Sequence, residues 1–172
     1  AYNLKDKGKL YNACLMYNAY LEARDADKAA ADLYAQTSKQ DKADLAMERF
    51  HNTAAGYDYS LADNEQKKAA LNSKISLDEE QGHKGYLAYY EQLLSAENGT
   101  QKKLTAKRNA LQKSLDQAVS RGLIKHGSDE WHEMVDAINS VTNEIDESVL
   151  SATELKNTIR QIKWDTFDAS LE

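Results

Sequence analysis

The chain has 172 residues, no proline, seven glycines and one cysteine; 41% of residues are hydrophobic, 29% are charged, and the formal net charge is −6 at pH 7. The acidic balance argues against a nucleic-acid binder, no run has the apolar length needed to span a bilayer, and a single cysteine rules out an internal disulfide. Ala, Leu, Lys, Glu, Gln and Asp dominate and strand-type runs rich in Val, Ile and Thr are missing, which is the composition of long helices with a narrow apolar seam and a wide wet surface.

In chain order, Leu10, Cys14, Tyr17 and Leu21, then Leu33, Met47, Phe50 and Ala54, alternate by threes and fours, which predicts a long helix over about 8–55. Cys14 reads as a small buried apolar residue. Gly56 in AAGYDYS is a break, and Leu61, Ala69, Leu71 and Ile75 predict a shorter helix over about 57–81. The two make an N-terminal helical segment, 1–81. Its seam has no equally clean partner inside the chain, so it either joins the rest in a three- or four-helix arrangement or self-associates. Gly82 and Gly85 mark the next break. From Tyr86 the stripe resumes through Tyr90, Leu94, Leu104, Leu111, Leu115 and Ala118, with Gly99 as a point for a kink. Gly122 suits the left-handed residue just past a helix end. Ser128 reads as an N-cap, with Asp129 and Glu130 in the first turn. Trp131, Met134, Ile138, Val141, Ile145, Ala152, Leu155, Ile159 and Ile162 then continue for roughly five heptads, long enough for coiled-coil packing.

If 122–127 is a tight turn, residues equidistant from position 124.5 meet. Ala118 then faces Trp131, Leu115 faces Met134, Leu111 faces Ile138, Leu104 faces Ile145, Leu94 faces Leu155 and Tyr90 faces Ile159. One register matches apolar to apolar along the whole length. The expected fold is all-α: a long antiparallel helical hairpin or coiled coil over 85–168, elongated into three or four helices where 1–81 joins it. Leu111, Leu115, Met134 and Ile138 form its core, Trp131 is buried above the small Ala118, and Gly122, Gly127 and Ser128 make the turn. Lys102, Lys103, Lys107, Arg108 and Lys113 on one helix face Glu130, Glu133, Asp136, Glu144, Asp146 and Glu147 on the other, with each exposed pair contributing about 0.2–1 kcal/mol.

Candidate chemistry is sparse. WHEMVD begins like a zinc-protease helix, but Asp136 stands where the second histidine must be for two imidazoles to reach one metal from one face. His51, His83 and His126 stand singly near the breaks and read as surface residues. Tyr86, Tyr89 and Tyr90 read as packing residues with wet hydroxyls rather than a base-stacking platform. There is no glycine-rich phosphate loop and no serine or cysteine nucleophile in a recognisable setting. No catalytic, cofactor or metal residue is assigned, and no enzyme activity is expected.

Three stretches in order, GHKGYLAYYEQLL, GLIKHGSDEWHEM and NTIRQIKWDTFD, resemble the helical region of tail tape measure proteins, the minor structural proteins of long-tailed phages and prophages of Gram-positive bacteria. Gly127, Ser128, Glu130, Trp131, Glu133 and Met134 match the family's turn. Ile159, Arg160, Gln161, Trp164, Asp165, Phe167 and Asp168 match its closing motif. His132 departs from the expected tyrosine and Asp129 from the expected glutamate. The resemblance covers residues 80–168. It implies a role without a reaction: a non-enzymatic structural segment contributing to tail length determination and assembly. Its partners would be tail tube proteins, assembly chaperones or further copies, with no specific nucleic acid and no membrane insertion. Its place would be the virion tail, and the host cytoplasm during assembly. The alternative from the residues alone is a cytosolic coiled-coil module that recruits a partner helix.

Overall fold

The computed structural model describes residues 4–82 and 85–170, with the side chains of 4–10 and 13 left aside. The readings of Leu10 as a seam residue and His83 as a surface residue fall outside the described residues. The order is α1 (Leu4–Glu80), α2 (Tyr86–Ser120) and α3 (Asp129–Asp168), and no strand occurs among the described residues. The chain divides into two units, Ala1–Asp44 and Leu45–Glu172.

In the second unit the three helices form an alternating bundle. Hydrogen-bonded partners between α1 and α2 fall in number as α1 rises: Asp58 with Lys107, Ser60 with Lys103, Asn64 with Thr100, Lys68 with Glu97, Glu79 with Tyr90. These two helices are therefore antiparallel about the 81–85 joint. α2 and α3 are antiparallel about the 121–128 turn, and Gln101 Nε2 donates to the Ser148 carbonyl, a pair equidistant from 124.5. α1 and α3 run parallel, with His51 Nε2 3.2 Å from Glu133 Oε1. The registers place Phe50, Leu115 and Met134 at one height, and all three are buried. Leu111, Ile138, Leu104 and Val141 continue the core towards the middle, and Ala152, Leu93, Ile75 and Ile159 continue it towards the joint.

Several expectations about the helices and their seams need correction. The helices expected over 8–55 and 57–81 are one, because Gly56 does not break α1. Gly56 is exposed with open space around it. Its cost of roughly 1 kcal/mol in a helix is outweighed by the stripe on both sides of it, Phe50 and Ala54 before, Tyr57 and Leu61 after, which stays on the covered face. Gly99 likewise leaves α2 unbroken. Second, Lys103 and Lys107 do not face α3. Lys103 Nζ donates to the Ser60 carbonyl at 2.7 Å and Lys107 Nζ to Asp58 at 2.5 Å, both on α1. An ion pair that does join α2 to α3 has the reverse sign, Glu91 on α2 with Lys163 on α3 at 2.7 Å. Third, Leu93 rather than Leu94 is the buried member of its pair. Fourth, Cys14 is exposed.

The first unit is a helix in which Tyr11, Leu15, Met16, Tyr17, Tyr20, Leu33 and Tyr34 are exposed and Leu21 is half-buried. The long stripe read from the sequence is real as a periodicity, but its burial begins only at Ala43.

Candidate functional site

The expected turn residues sit together between α2 and α3. Gly122 has φ +66, its N–H donates to the Val119 carbonyl, and the Leu123 N–H reaches back to the Ala118 carbonyl at 2.9 Å. This pair of bonds is a Schellman end, and the left-handed residue it needs is most cheaply a glycine. Gly127 has φ +79. Ser128 then starts α3: its extended backbone turns the side-chain oxygen to accept from the Trp131 N–H at 3.3 Å, with Asp129 and Glu130 in the first turn. Leu111, Leu115, Met134 and Ile138 are buried beside it.

Trp131 is only half-buried. Its ring lies 4.3 Å from that of exposed His126 and edge-on to His132 at 4.9 Å. The residue that plugs the turn is Ile124, which the sequence reading passed over because it falls outside both helical stripes. His132 and Glu133 are exposed, and no group of three or more His, Cys, Asp or Glu placed to hold a metal occurs among the described residues.

The concentration of chemistry lies elsewhere, in the middle of the bundle. Glu97 of α2 is buried on the seam, where heptad spacing calls for an apolar residue. Lys68 of α1 donates to its Oε2 at 2.7 Å, and the Ser148 hydroxyl of α3 donates to its Oε1. Lys68 also pairs with Glu65 at 2.7 Å. One turn of α1 earlier, Asn64 donates to the Ala96 carbonyl at 2.7 Å and to the Thr100 hydroxyl at 2.8 Å. Gly99 lies against the Asn64 side chain, where an added Cβ would make ordinary contact at 3.6 Å, so this approach does not require a glycine. All three helices therefore contribute to one polar layer, and no buried side-chain nitrogen or oxygen among the described residues lacks a partner.

The electrostatics of the layer follow from its partners. Burial pushes the Lys68 ammonium towards the neutral form, but hydrogen bonds to Glu65 and Glu97 outweigh it and the net shift is upward. Satisfied on every side, the layer is suited to holding three helices in one register. Replacing a buried pair of this kind by apolar residues is often neutral or stabilising, whereas removing one partner is strongly destabilising. Its value therefore lies in specifying which residues meet.

The sequence carried a signal for this layer. Positions 61, 64, 68, 71 and 75, positions 93, 97, 100, 104 and 107, and positions 141, 145, 148 and 152 all follow the 3–4 alternation. A stripe of apolar residues alone passes over Asn64, Lys68, Glu97, Thr100 and Ser148, which occupy the same seam positions. Charge alone pairs Lys107 with the acids of α3; its stem is instead buried and its ammonium reaches Asp58 of α1. Comparisons with protein-family models, with curated proteins and with solved structures find no match for the chain.

Proposed function

We propose that this chain is a non-enzymatic structural segment of a phage tail tape measure protein, acting in tail length determination and tail assembly through tube proteins, assembly chaperones or other copies of itself. The observation that carries the reading is the ordered set of three stretches from Gly82 to Asp168. Two of them coincide with structural boundaries: GLIKHGSDEWHEM forms the turn from α2 into α3, and NTIRQIKWDTFD runs to the end of α3. An all-helical chain suits a ruler because a fixed rise of about 1.5 Å per residue converts chain length into distance. On this reading the protein belongs in the virion tail, and in the host cytoplasm while tails assemble.

In-frame deletion of residues 86–168 from the phage gene tests it. Tails shortened by up to about 125 Å, the span of those residues as extended helix, support a ruler role. Tails of unchanged length that still contain the shortened chain restrict the segment to assembly. Absence of its peptides from purified tails overturns the proposal.

A second reading, a coiled-coil module that recruits a partner helix, is favoured by the exposed Tyr11, Leu15, Tyr17, Tyr20 and Leu33 of the first unit. A host protein captured by the wild-type chain but not by a Leu15→Asp/Leu33→Asp variant would support it.

A further inference from the structure

We infer that the polar layer of Asn64, Lys68, Glu97, Thr100 and Ser148 divides the three-helix bundle into two parts that open separately, and that the part between the layer and the 81–85 joint opens first. This inference stands on the packing of the bundle and does not depend on the tail-protein reading.

The two parts are unequal. On the turn side the core contains Phe50, Leu111, Leu115, Ile124, Met134 and Ile138, and the three largest fully buried side chains of the described residues, Phe50, Leu111 and Met134, all lie there. On the joint side the buried apolar residues are Ile75, Leu93, Ala152 and Ile159, and Leu71, Tyr86, Leu87, Tyr90, Leu94, Leu155 and Ile162 are only half-buried. The grooves follow this division on the α1–α2 face alone; the two α1–α3 grooves, one on each side of the layer, are nearly equal. On the α1–α2 face the turn side has a groove of about 50 Å³ lined by Ala46, Arg49 and Ala118, and the joint side one of about 500 Å³ lined by Asn64, Leu71 and Ala96. On the α1–α3 face, grooves of about 350 and 370 Å³ lie against Lys68, Glu97 and Ser151. A further groove of about 500 Å³ at the turn end is on the α2–α3 face, lined by His126 and Trp131. The remaining ties on the joint side are partly wet: Glu79 with Tyr90, Lys74 over Tyr89 at 5.6 Å, Glu91 with Lys163. Exposed ties of this kind contribute little.

The layer is what separates the parts. Cooperativity between packed layers comes from continuous apolar burial, and opening one part beyond a charged layer exposes little of the other's apolar surface. The opened side also rehydrates the Lys68 ammonium and the Glu97 carboxylate, which recovers the desolvation cost of the pair. Local opening of contiguous units at less than the global free energy is the usual behaviour of such divided structures.

Native-state hydrogen exchange on the intact chain, over a urea series below the unfolding transition, tests this. Amides of 68–78, 89–96 and 152–160 should share one urea dependence and exchange at least about tenfold faster than those of 104–118 and 134–142. Ile75→Ala should widen that gap by a further tenfold or more while leaving the Leu111 and Met134 amides within about twofold. The variant Lys68→Leu/Glu97→Leu/Ser148→Ala should bring the two sets together. Three outcomes overturn the inference: equal protection of both sets in the wild type, a graded fall in protection from the joint with no common urea dependence, or an equal effect of Ile75→Ala on both sets. If the triple variant fails to fold, the Ile75→Ala measurement decides alone.

Discussion

Residues 11–34 and 46–75 belong to one helix and share one period, yet one stretch exposes its apolar side chains and the other buries them. Leu33 is 65% exposed and Phe50 is 1% exposed. The 3–4 alternation is the same in both, so periodicity reports that a helix forms and which face is apolar. Whether that face is covered depends on α2 and α3, whose registers with α1 start near Phe50. The covered stretch also carries its polar exceptions, Asn64 and Lys68, at seam positions where partners on α2 satisfy them.

The sharpest way to break this comparison is to truncate one large side chain in each stretch. Phe50→Ala should lower stability by about 3–5 kcal/mol, because it leaves a cavity beside Leu115 and Met134. Leu33→Ala should stay within about 0.5 kcal/mol. Urea denaturation of the two variants compares them directly; equal losses would mean that both faces are covered in solution. Next in size is the polar exception. Glu97→Leu leaves Ser148 without its carboxylate partner and Lys68 with only the exposed Glu65, and should cost about 3 kcal/mol. A loss below about 1 kcal/mol in the same assay would show that water already satisfies the layer.

What was legible in the sequence was local. Gly122 and Ser128 announce themselves because a left-handed helix end and an N-cap each need a particular residue within one turn. The pairing of Leu111 with Ile138 was legible because one short turn fixes the register for everything beyond it. Asn64, Lys68 and Glu97 were not, because a charged residue on a seam makes sense only once two registers about two different joints are known. Gly56 misled in the opposite direction: its local cost is real, and packing on either side exceeds it. Lys103 and Lys107 were assigned to the acids of α3 from charge alone, whereas α1 lies on that side of α2.

Trp131 belongs with these, since its place at the head of the α3 stripe, opposite the small Ala118, marks it as a core residue. Half-buried, tilted against His126 and edge-on to His132, it should lose about 1–2 kcal/mol as Trp131→Ala, the value of a rim aromatic with two ring partners. A loss of 3 kcal/mol or more in urea would put the indole inside after all. Gly56→Ala acts on the covered stretch with the opposite sign. The position is helical, open and exposed, so alanine should add up to about 1 kcal/mol. A destabilised variant would mean that α1 is strained or interrupted at that point.

The smallest effect concerns pH, and it acts on the covered stretch and its partner helix through Lys68 and Tyr90. Both groups titrate higher in the folded chain. For Lys68, burial pulls the value down but is outweighed by the hydrogen bonds its ammonium donates to Glu65 and Glu97; for Tyr90, burial is the main cause and the neighbouring Glu79 adds to it. In each case the folded state holds the proton more tightly than the unfolded chain. The associated stability is fully present below the unfolded values, about 10 for tyrosine and 10.4 for lysine, and is lost as pH rises through the folded ones. The urea midpoint should therefore decline above about pH 10. A Lys68→Arg/Tyr90→Phe variant keeps the positive charge and the ring but removes both titrations, so its midpoint should fall less steeply than that of the wild type over the same range. Identical slopes would place the alkaline loss in the lysines and tyrosines outside this pair, and the upward shifts would then contribute nothing measurable to folding.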